Sequence, residues 1–265
     1  MKPTQTSPAA DKDASTTSYR RMAQVLDCFS LARSELSVGE LATLTGMPRT
    51  TIHRIVSSLR EIGLLDQNGP RSNYRLGLKL FQYGSVVINN LDIHTHASPY
   101  LQTLSQLSGE TVHFHMFDGS QMVCIEREEI GENRLNTLTT IEAAPIYCTS
   151  VGKAFLAFQK ESLIRRICEE QGLPPRTANT ITSVDALLAE LENIRAAGYA
   201  IDNEEHKLGV RCVGAPIRDA SGQVFASVSA SGPVERMPAQ RLKGLAPTVI
   251  QTANNISKAL GWSAA

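Results

Sequence analysis

The part of the chain that most restricts its fold lies between Ser37 and Gly63, where two short helices are predicted in immediate succession. Ser37 and Glu40 have the spacing of a capping box, so a helix is predicted to begin there and to end at Gly46. Pro48 suits the first position of a second helix, which Gly63 ends. Two helices joined by so tight a turn are typical of a helix-turn-helix.

The second of these helices has two unlike faces. One face repeats apolar residues at helical spacing and is predicted to be buried: Ile52, Ile55, Val56 and Leu59. The other carries hydroxyls, a histidine and arginines, with no acid before Glu61, as contacts with phosphates and base edges require. An ordinary helical hairpin with a solvated face is the alternative, but it gives no reason for the missing acids. The predicted DNA contacts are Ser37, Arg49, Thr50, Thr51, His53, Arg54, Ser57, Arg60 and Arg71.

Two flanking segments complete a winged helix-turn-helix. Residues 19–33 are predicted as a preceding helix, with Met22, Leu26 and Phe29 near one face. After the second helix, two short strand candidates surround Asn68-Gly69-Pro70. A hairpin there would be a wing that brings Arg71 near the adjacent groove or the DNA backbone.

The distribution of charge agrees with a polyanion partner for this part alone. The whole chain has 26 basic and 26 acidic residues, so its formal net charge is zero. Residues 19–79 hold nine basic and five acidic residues, net +4, whereas residues 80–265 are net −4. The neutral total is therefore a cancellation between a basic segment and an acidic one.

The rest of the chain predicts an α+β domain. In Thr-Val-His-Phe-His-Met (111–116), alternation points Val112, Phe114 and Met116 to one face of a hairpin strand. Helices are predicted over 76–107, 151–170, 183–197 and 238–260, and strands over 209–217 and 223–231. These elements predict a mixed, mostly antiparallel sheet covered by helices. The close histidine pairs, 94 with 96 and 113 with 115, are interpreted as surface polar residues, and no metal site is predicted.

Compact polar residues in this second part predict an anion site. The small residues Ser150, Val151 and Gly152 come where a helix begins, so their N–H groups would face a carboxylate. Ser229 and Ser231 lie two apart on one strand and hence on one face. Asp202 and Cys212 are compact polar groups on or beside other strands. Packing of small residues, exposed serines and a turn role for Asp202 are the alternatives.

These motifs resemble the IclR-type family of bacterial transcriptional regulators over about residues 19–262. The resemblance is carried by LATLTGMPRTTIHRIVSSLREIGLL, CTSVGKAFLAF, GYAIDNEEH, GVRCVGAPIRDASG and ASVSASGPVERM, in the order and spacing of the family. Within it, TITSVDALL and ETVHFHMFDG look closest to regulators of sugar-acid (ketodeoxygluconate-type) catabolism. The resemblance implies a GAF-like effector-binding domain that follows the winged helix, and a homodimer or homotetramer.

By this resemblance, a cavity for a small organic acid is lined by Leu138, Tyr147, Ser150, Val151, Gly152, Asp202, Cys212, Ser229 and Ser231. Leu138 is the expected lid. Tyr147 departs from the family, which commonly has His there, so the identity of the effector does not carry over. The expected domains are a disordered tail (1–18), the winged helix (19–79), a linker helix (80–95) and the effector domain (96–265).

The sequence is therefore interpreted as a transcriptional regulator, a repressor or an activator, that binds a pseudo-palindromic double-stranded DNA operator. Its effector is expected to be a sugar acid, keto acid or aromatic acid, and no cofactor, catalytic residue or membrane partner is predicted. Five cysteines without paired spacing, and no export signal, predict a cytoplasmic protein with reduced thiols. A ligand-binding protein without DNA contact, or a thiol enzyme that uses Cys212, are the rival interpretations.

Overall fold

The structure is a computed structural model that describes residues 18–30, 33–69, 72–90, 92–129 and 143–263. The chain divides into two compact units between Asn90 and Leu91. The expected tail up to residue 17, the wing residue Arg71 and the lid residue Leu138 lie outside the described residues.

The first unit begins with three helices: α1 (18–26), α2 (Val38–Thr45) and α3 (Arg49–Glu61). The capping box is confirmed, because the Ser37 hydroxyl accepts from the Glu40 N–H and the Glu40 carboxylate accepts from the Ser37 N–H. Gly46 ends α2 in the left-handed region, with φ of 70°. The prediction that the first helix extends to residue 33 is wrong. The N–H groups of Cys28 and Phe29 bond three residues back, which tightens and ends the helix.

The helix α3 buries the four predicted residues, Ile52, Ile55, Val56 and Leu59. These side chains share one core with Val25 of α1, Leu41 of α2 and Tyr74. Pro48 is the N-cap residue and not the first helical residue, because its ψ of 143° is extended. The buried stripe therefore holds α3 on the core and turns its polar face to the surface.

The predicted hairpin after α3 is present as β2 (Leu65–Gln67) and β3 (Tyr74–Leu76), paired antiparallel. An ion pair of 2.6 Å between Arg75 and Asp66 links the two strands. A further strand, β1 (Glu35–Leu36), pairs with β3 and completes the order β1-β3-β2. The sequence did not predict β1, because two residues are too few to show alternation.

A helix, α4 (Leu78–Asn90), ends the first unit, and α5 (Asp92–Ser108) begins the second. The second unit contains β4 (Thr111–Phe117), β5 (Met122–Glu128), β6 (Ala143–Ala144), β7 (Ala200–Asn203), β8 (Val210–Arg218) and β9 (Val224–Pro233). They form one sheet in the order β6-β5-β4-β9-β8-β7, in which every described pair is antiparallel. The fold class is α+β, as predicted.

The remaining helices are α6 (Ser150–Leu156), α7 (Glu161–Gln171), α8 (Val184–Ala197) and α9 (Ala239–Ala259). The single helix predicted over 151–170 is wrong, because the backbone is extended at Lys160, with ψ of 139°, and separates α6 from α7. None of the helices in the described ranges is long and apolar enough to cross a membrane.

The two faces of the six-stranded sheet differ in chemistry. One face packs apolar side chains, among them Val112, Phe114 and Val228, against α5 and α9. Alternate residues on the same strands point to the other face, where Ser229 of β9 pairs with His113 of β4. A second apolar core, which includes Met122 of β5, joins α6, α7 and α8 to the sheet. The short helix α6 packs over its β8 and β9 side, and a cavity remains between helix and sheet.

Candidate functional sites

The polar face of α3 is a continuous surface of cations and hydroxyls. Its exposed predicted residues are Arg49, Thr50, His53, Arg54, Ser57 and Arg60, and Thr51 is half-buried. The first turn of α3 contains no acid. The Arg60 guanidinium donates to the Gln67 side-chain oxygen at 2.8 Å, which ties the end of α3 to β2 of the wing. This surface therefore presents both positive charge and hydroxyl donors to a polyanion.

Two more arginines extend this surface beyond the predicted contacts. Arg21 of α1 borders the same surface depression as Thr51 and Arg54. Arg33 borders another depression together with Ser37 and Arg49. The Ser37 hydroxyl donates to the Glu40 carboxylate at 2.7 Å, so its proton is already used within the capping box. Arg21 and Arg33 were not predicted because they lie outside α3, and only the fold brings them beside it.

The second unit encloses a cavity of about 420 Å³ between the polar face of the sheet and α6. Its size lies within the range of about 300–1,000 Å³ that is usual for small-molecule sites. Six of the nine predicted effector residues line it: Ser150, Val151, Asp202, Cys212, Ser229 and Ser231. Residues far apart in the sequence thus meet at one site.

Two glycines allow close backbone contacts around α6, one with the sheet and one with the turn that precedes the helix. A Cβ on Gly214 of β8 would lie 3.1 Å from the Ser150 carbonyl carbon, and a Cβ on Gly152 would lie 2.2 Å from the Ile146 oxygen. The Gly152 N–H was predicted to face an anion, but it donates to the Thr149 hydroxyl at 3.2 Å and is therefore not free. The N–H groups of Ser150 and Val151 belong to the first helical turn, which has no intrahelical acceptors.

Asp202 is buried at the end of β7, and its carboxylate also organises the following turn. One carboxylate oxygen, Oδ1, accepts from the N–H groups of Glu205 at 2.8 Å and His206 at 3.4 Å. Burial, with a smaller contribution from the Glu205 carboxylate, raises the pKa of Asp202 to about 7 against the lowering effect of these hydrogen bonds. Glu205 in turn pairs with the buried Lys153 of α6 at 2.5 Å. Asp202 therefore lines the cavity as a carboxyl that is partly protonated at neutral pH.

The Cys212 thiol does not have the properties of a nucleophile. Its sulfur donates to the Ser231 hydroxyl at 3.0 Å. Burial raises the pKa of Cys212 to about 12, so the thiol stays protonated at neutral pH. All five cysteines are free, as predicted. The chemistry available to Cys212 is therefore hydrogen bonding to a ligand.

Two predicted effector residues, Tyr147 and Gly152, are not among the described residues that line the cavity. The Tyr147 side chain is buried among α6, α7 and α8, and its hydroxyl donates to the Pro174 carbonyl at 2.7 Å. The helix α6 turns the Gly152 position toward Ile146. Leu138 lies outside the described residues.

The interpretation of His113 and His115 as surface polar residues is wrong. Both line the cavity, with ring centroids 5.9 Å apart, and His115 is only 6% exposed. Burial lowers the pKa of His113 to about 4 and that of His115 to about 3, so both rings are neutral at pH 7. The alternation in 111–116 correctly placed them opposite Phe114, but it did not show that α6 covers this face. In the described part of the chain, no three His, Cys, Asp or Glu residues are grouped as a metal site needs.

Comparisons with known proteins agree with both units. Residues 18–69 match the IclR helix-turn-helix domain, and residues 85–258 match the family described as bacterial transcriptional regulator IclR C-terminal. The chain is 32% identical over 252 residues to the HTH-type transcriptional regulator XynR of Escherichia coli K12, covering 93% of this chain and 98% of that protein. It is also 32% identical to the regulator KdgR of the same strain, covering 86% of this chain and 87% of that protein.

Solved structures share this fold. One is a crystal structure of an IclR homologue from Microbacterium hydrocarbonoxydans complexed with 4-hydroxybenzoate. Its TM-score is 0.72 at 23% sequence identity, and the alignment covers 92% of this chain and 98% of that one.

Proposed function

The chain belongs to the IclR family of DNA-binding transcriptional regulators, and on this premise we propose that a small organic acid in the cavity of its second unit controls its binding to a pseudo-palindromic operator. The observation that carries the proposal is the enclosed cavity, which gathers six predicted residues from one helix and three strands. In agreement with this class of effector, the homologue from Microbacterium binds an aromatic acid, 4-hydroxybenzoate.

In the proposed complex with DNA, α3 enters the major groove and the wing contacts the adjacent backbone. Arg49, Arg54 and the hydroxyls beside them face the phosphates and base edges. The cations at Arg21 and Arg33 add attraction to the phosphates that does not depend on base sequence. We infer that the protein acts in the cytoplasm of a bacterium, because its DNA-binding unit must reach the DNA there.

We propose that a second copy of the chain covers the exposed apolar face of α4. Leu78, Phe81 and Val86 are 76%, 70% and 59% exposed, values that are unusual for residues of their size in a helix. A two-fold dimer would bury this face and present two copies of α3 to the two halves of the operator. A homotetramer would pair two such dimers.

Control by the effector requires that the acid bind two arrangements of the regulator with different affinity. The Ser150 and Val151 N–H groups are the proposed donors to its carboxylate, and Ser229 and Ser231 the proposed partners of its other oxygens. A catalytic role has less support, because the Cys212 thiol is protonated at neutral pH. A ligand-binding role without DNA contact would not explain why the cationic face of α3 has no acidic side chain in its first turn.

The DNA half of the proposal is tested by selecting duplexes from a random library with the wild-type protein and measuring their affinity by fluorescence anisotropy. Arg54→Ala should weaken binding about tenfold or more, and should reduce the dependence of log affinity on log salt by about one unit. Arg165→Ala is the matched control, since Arg165 is exposed on α7 and its ion pair, at 2.7 Å, is with Glu161 of its own helix. Equal affinity of the two variants would refute the assignment of this face.

The effector half is tested by thermal shift with sugar acids, 2-keto acids and aromatic acids. An acid that raises the melting temperature should also change the affinity for the selected duplex. Ser229→Val, which fills the cavity with a branched apolar side chain, should remove both effects and leave DNA binding without acid unchanged. An acid response that survives this substitution would place the effector elsewhere.

A further inference from the structure

His115 lies on the cavity face of β4 with a ring nitrogen that no described protein group satisfies. The residue is 6% exposed and lines the cavity, and its Nδ1 has no hydrogen-bond partner among the described residues. Several other buried groups of the site are partnered, such as the Cys212 sulfur with Ser231 and Asp202 Oδ1 with two N–H groups. A buried polar atom without a partner is uncommon in a folded protein, and in a cavity wall it indicates a group supplied by a ligand.

The surroundings of His115 define the chemistry of that group. Burial and the neighbouring His113 lower the pKa of His115 to about 3, so its ring is neutral and carries one donor and one acceptor nitrogen. The Arg127 guanidinium also lines the cavity, but its charge is paired with Glu129. Its Nε is a second buried donor without a partner in the described chain. This end of the cavity thus offers hydrogen bonds without net positive charge.

A hydroxyl group fits this end better than a carboxylate does. A carboxylate only accepts hydrogen bonds, so it could not satisfy His115 Nδ1 in the tautomer in which that nitrogen is the acceptor. A hydroxyl both donates and accepts, so it satisfies His115 Nδ1 in either tautomer of the ring.

We propose that the cavity selects acids that carry a hydroxyl group distinct from the carboxylate, and that His115 is the specificity-determining residue that hydrogen-bonds to this hydroxyl. The inference rests on the proposed function, since it concerns the effector of the same cavity. It adds a second recognition point to the one at Ser150 and Val151. An acid that lacks the hydroxyl would leave His115 Nδ1 buried and unsatisfied, which is how a polar site rejects an apolar analogue.

The test uses matched pairs of acids that differ in hydroxylation, gluconate against hexanoate and 4-hydroxybenzoate against benzoate. Isothermal titration with the full-length protein measures the affinity of each acid. The wild type should prefer the hydroxylated member of at least one pair by about tenfold or more. His115→Phe should reduce that preference to about threefold or less, while it leaves the affinity for the non-hydroxylated member nearly unchanged.

Two further variants separate hydrogen bonding from packing. His115→Asn places a polar atom close to the position of Nδ1 and should retain most of the preference. His96→Phe alters an exposed histidine of α5 and should retain all of it. If His115→Phe does not fold, judged by its melting curve, His115→Met takes its place with the same expected loss.

The outcomes distinguish this inference from the proposed function. A wild type that binds both members of each pair equally, or a His115→Phe variant that keeps the preference, overturns the inference and leaves the proposed organic-acid effector intact. A wild type that binds none of the four acids overturns the inference, and it contradicts the proposed class of effector as well when no acid in the thermal-shift screen raises the melting temperature. The inference is supported when the preference for the hydroxylated acid is lost in His115→Phe and retained in His115→Asn.

Discussion

Replacing Asp202 by Asn should change the pH dependence of folding stability by an amount that follows from its burial. Asp202 is 2% exposed, and burial raises its pKa from 3.8 to about 7. The folded chain therefore holds this proton more tightly than the unfolded chain does between these two values. The sign follows directly: the contribution of Asp202 to stability decreases as pH rises from about 4 to about 7, and then stays constant.

The magnitude follows from the same two pKa values. Linkage gives a loss of about 2 to 3 kcal/mol between pH 5 and pH 8 for a carboxyl with this shift. Asn at this position has no proton to lose, and its side-chain oxygen can still accept from the Glu205 and His206 N–H groups. Relative to the wild type, Asp202→Asn should therefore become more stable by about 2 to 3 kcal/mol as pH rises from 5 to 8.

Urea denaturation followed by tryptophan fluorescence measures this difference in the second unit, which contains Asp202. The chain has one tryptophan, Trp262, whose ring lies 5.9 Å from the Arg218 guanidinium of β8, so its emission reports on the second unit. His113 and His115 titrate in both proteins, and their effect cancels in the difference between wild type and variant. Stability curves that run parallel from pH 5 to pH 8 would refute the burial of an ionisable Asp202.

Asp219→Asn is the matched control. The hydroxyl of Ser221 donates to the Asp219 carboxylate and lowers its pKa, the opposite direction to Asp202. The folded state therefore favours the ionised form of Asp219, whose stabilising effect is present at neutral pH and lost in acid. The control variant should lose stability relative to the wild type at neutral pH and approach it in acid.

Three other substitutions test packing and assembly. Arg236→Ala should lower the midpoint of urea denaturation, because among the described cations it leaves the fully buried Glu110 carboxylate with Arg241 alone, at 3.5 Å. Gly214→Val should cost about 1 to 3 kcal/mol and weaken acid binding in the same titration, since its Cβ would lie 3.1 Å from the Ser150 backbone. Phe81→Ser should shift the protein toward monomer in light scattering, because Phe81 is 70% exposed on α4; an unchanged mass would refute a dimer through this face.

Much of the first unit follows from local sequence. The capping box at Ser37, the left-handed Gly46 and the apolar spacing of α3 act within a few residues, so the sequence alone predicted the helix-turn-helix. The hairpin of β2 and β3 was predicted for the same reason. The partner strand β1 was missed, because its pairing with β3 joins residues about 40 positions apart in a strand of two residues.

From resemblance and strand alternation, the sequence alone also predicted some of the residues that line the cavity, among them Ser150, Asp202, Cys212 and the two serines of β9. Only the tertiary structure decided what surrounds them. The alternation in 111–116 is the same whether the second face of β4 meets water or a helix, so it could not show that His115 is buried. Likewise, Tyr147 was predicted to line the cavity, but its side chain is buried among α6, α7 and α8, where its hydroxyl donates to the Pro174 carbonyl. Burial is a property of what the rest of the chain places on a surface, and for this reason the chemistry of the cavity required the fold.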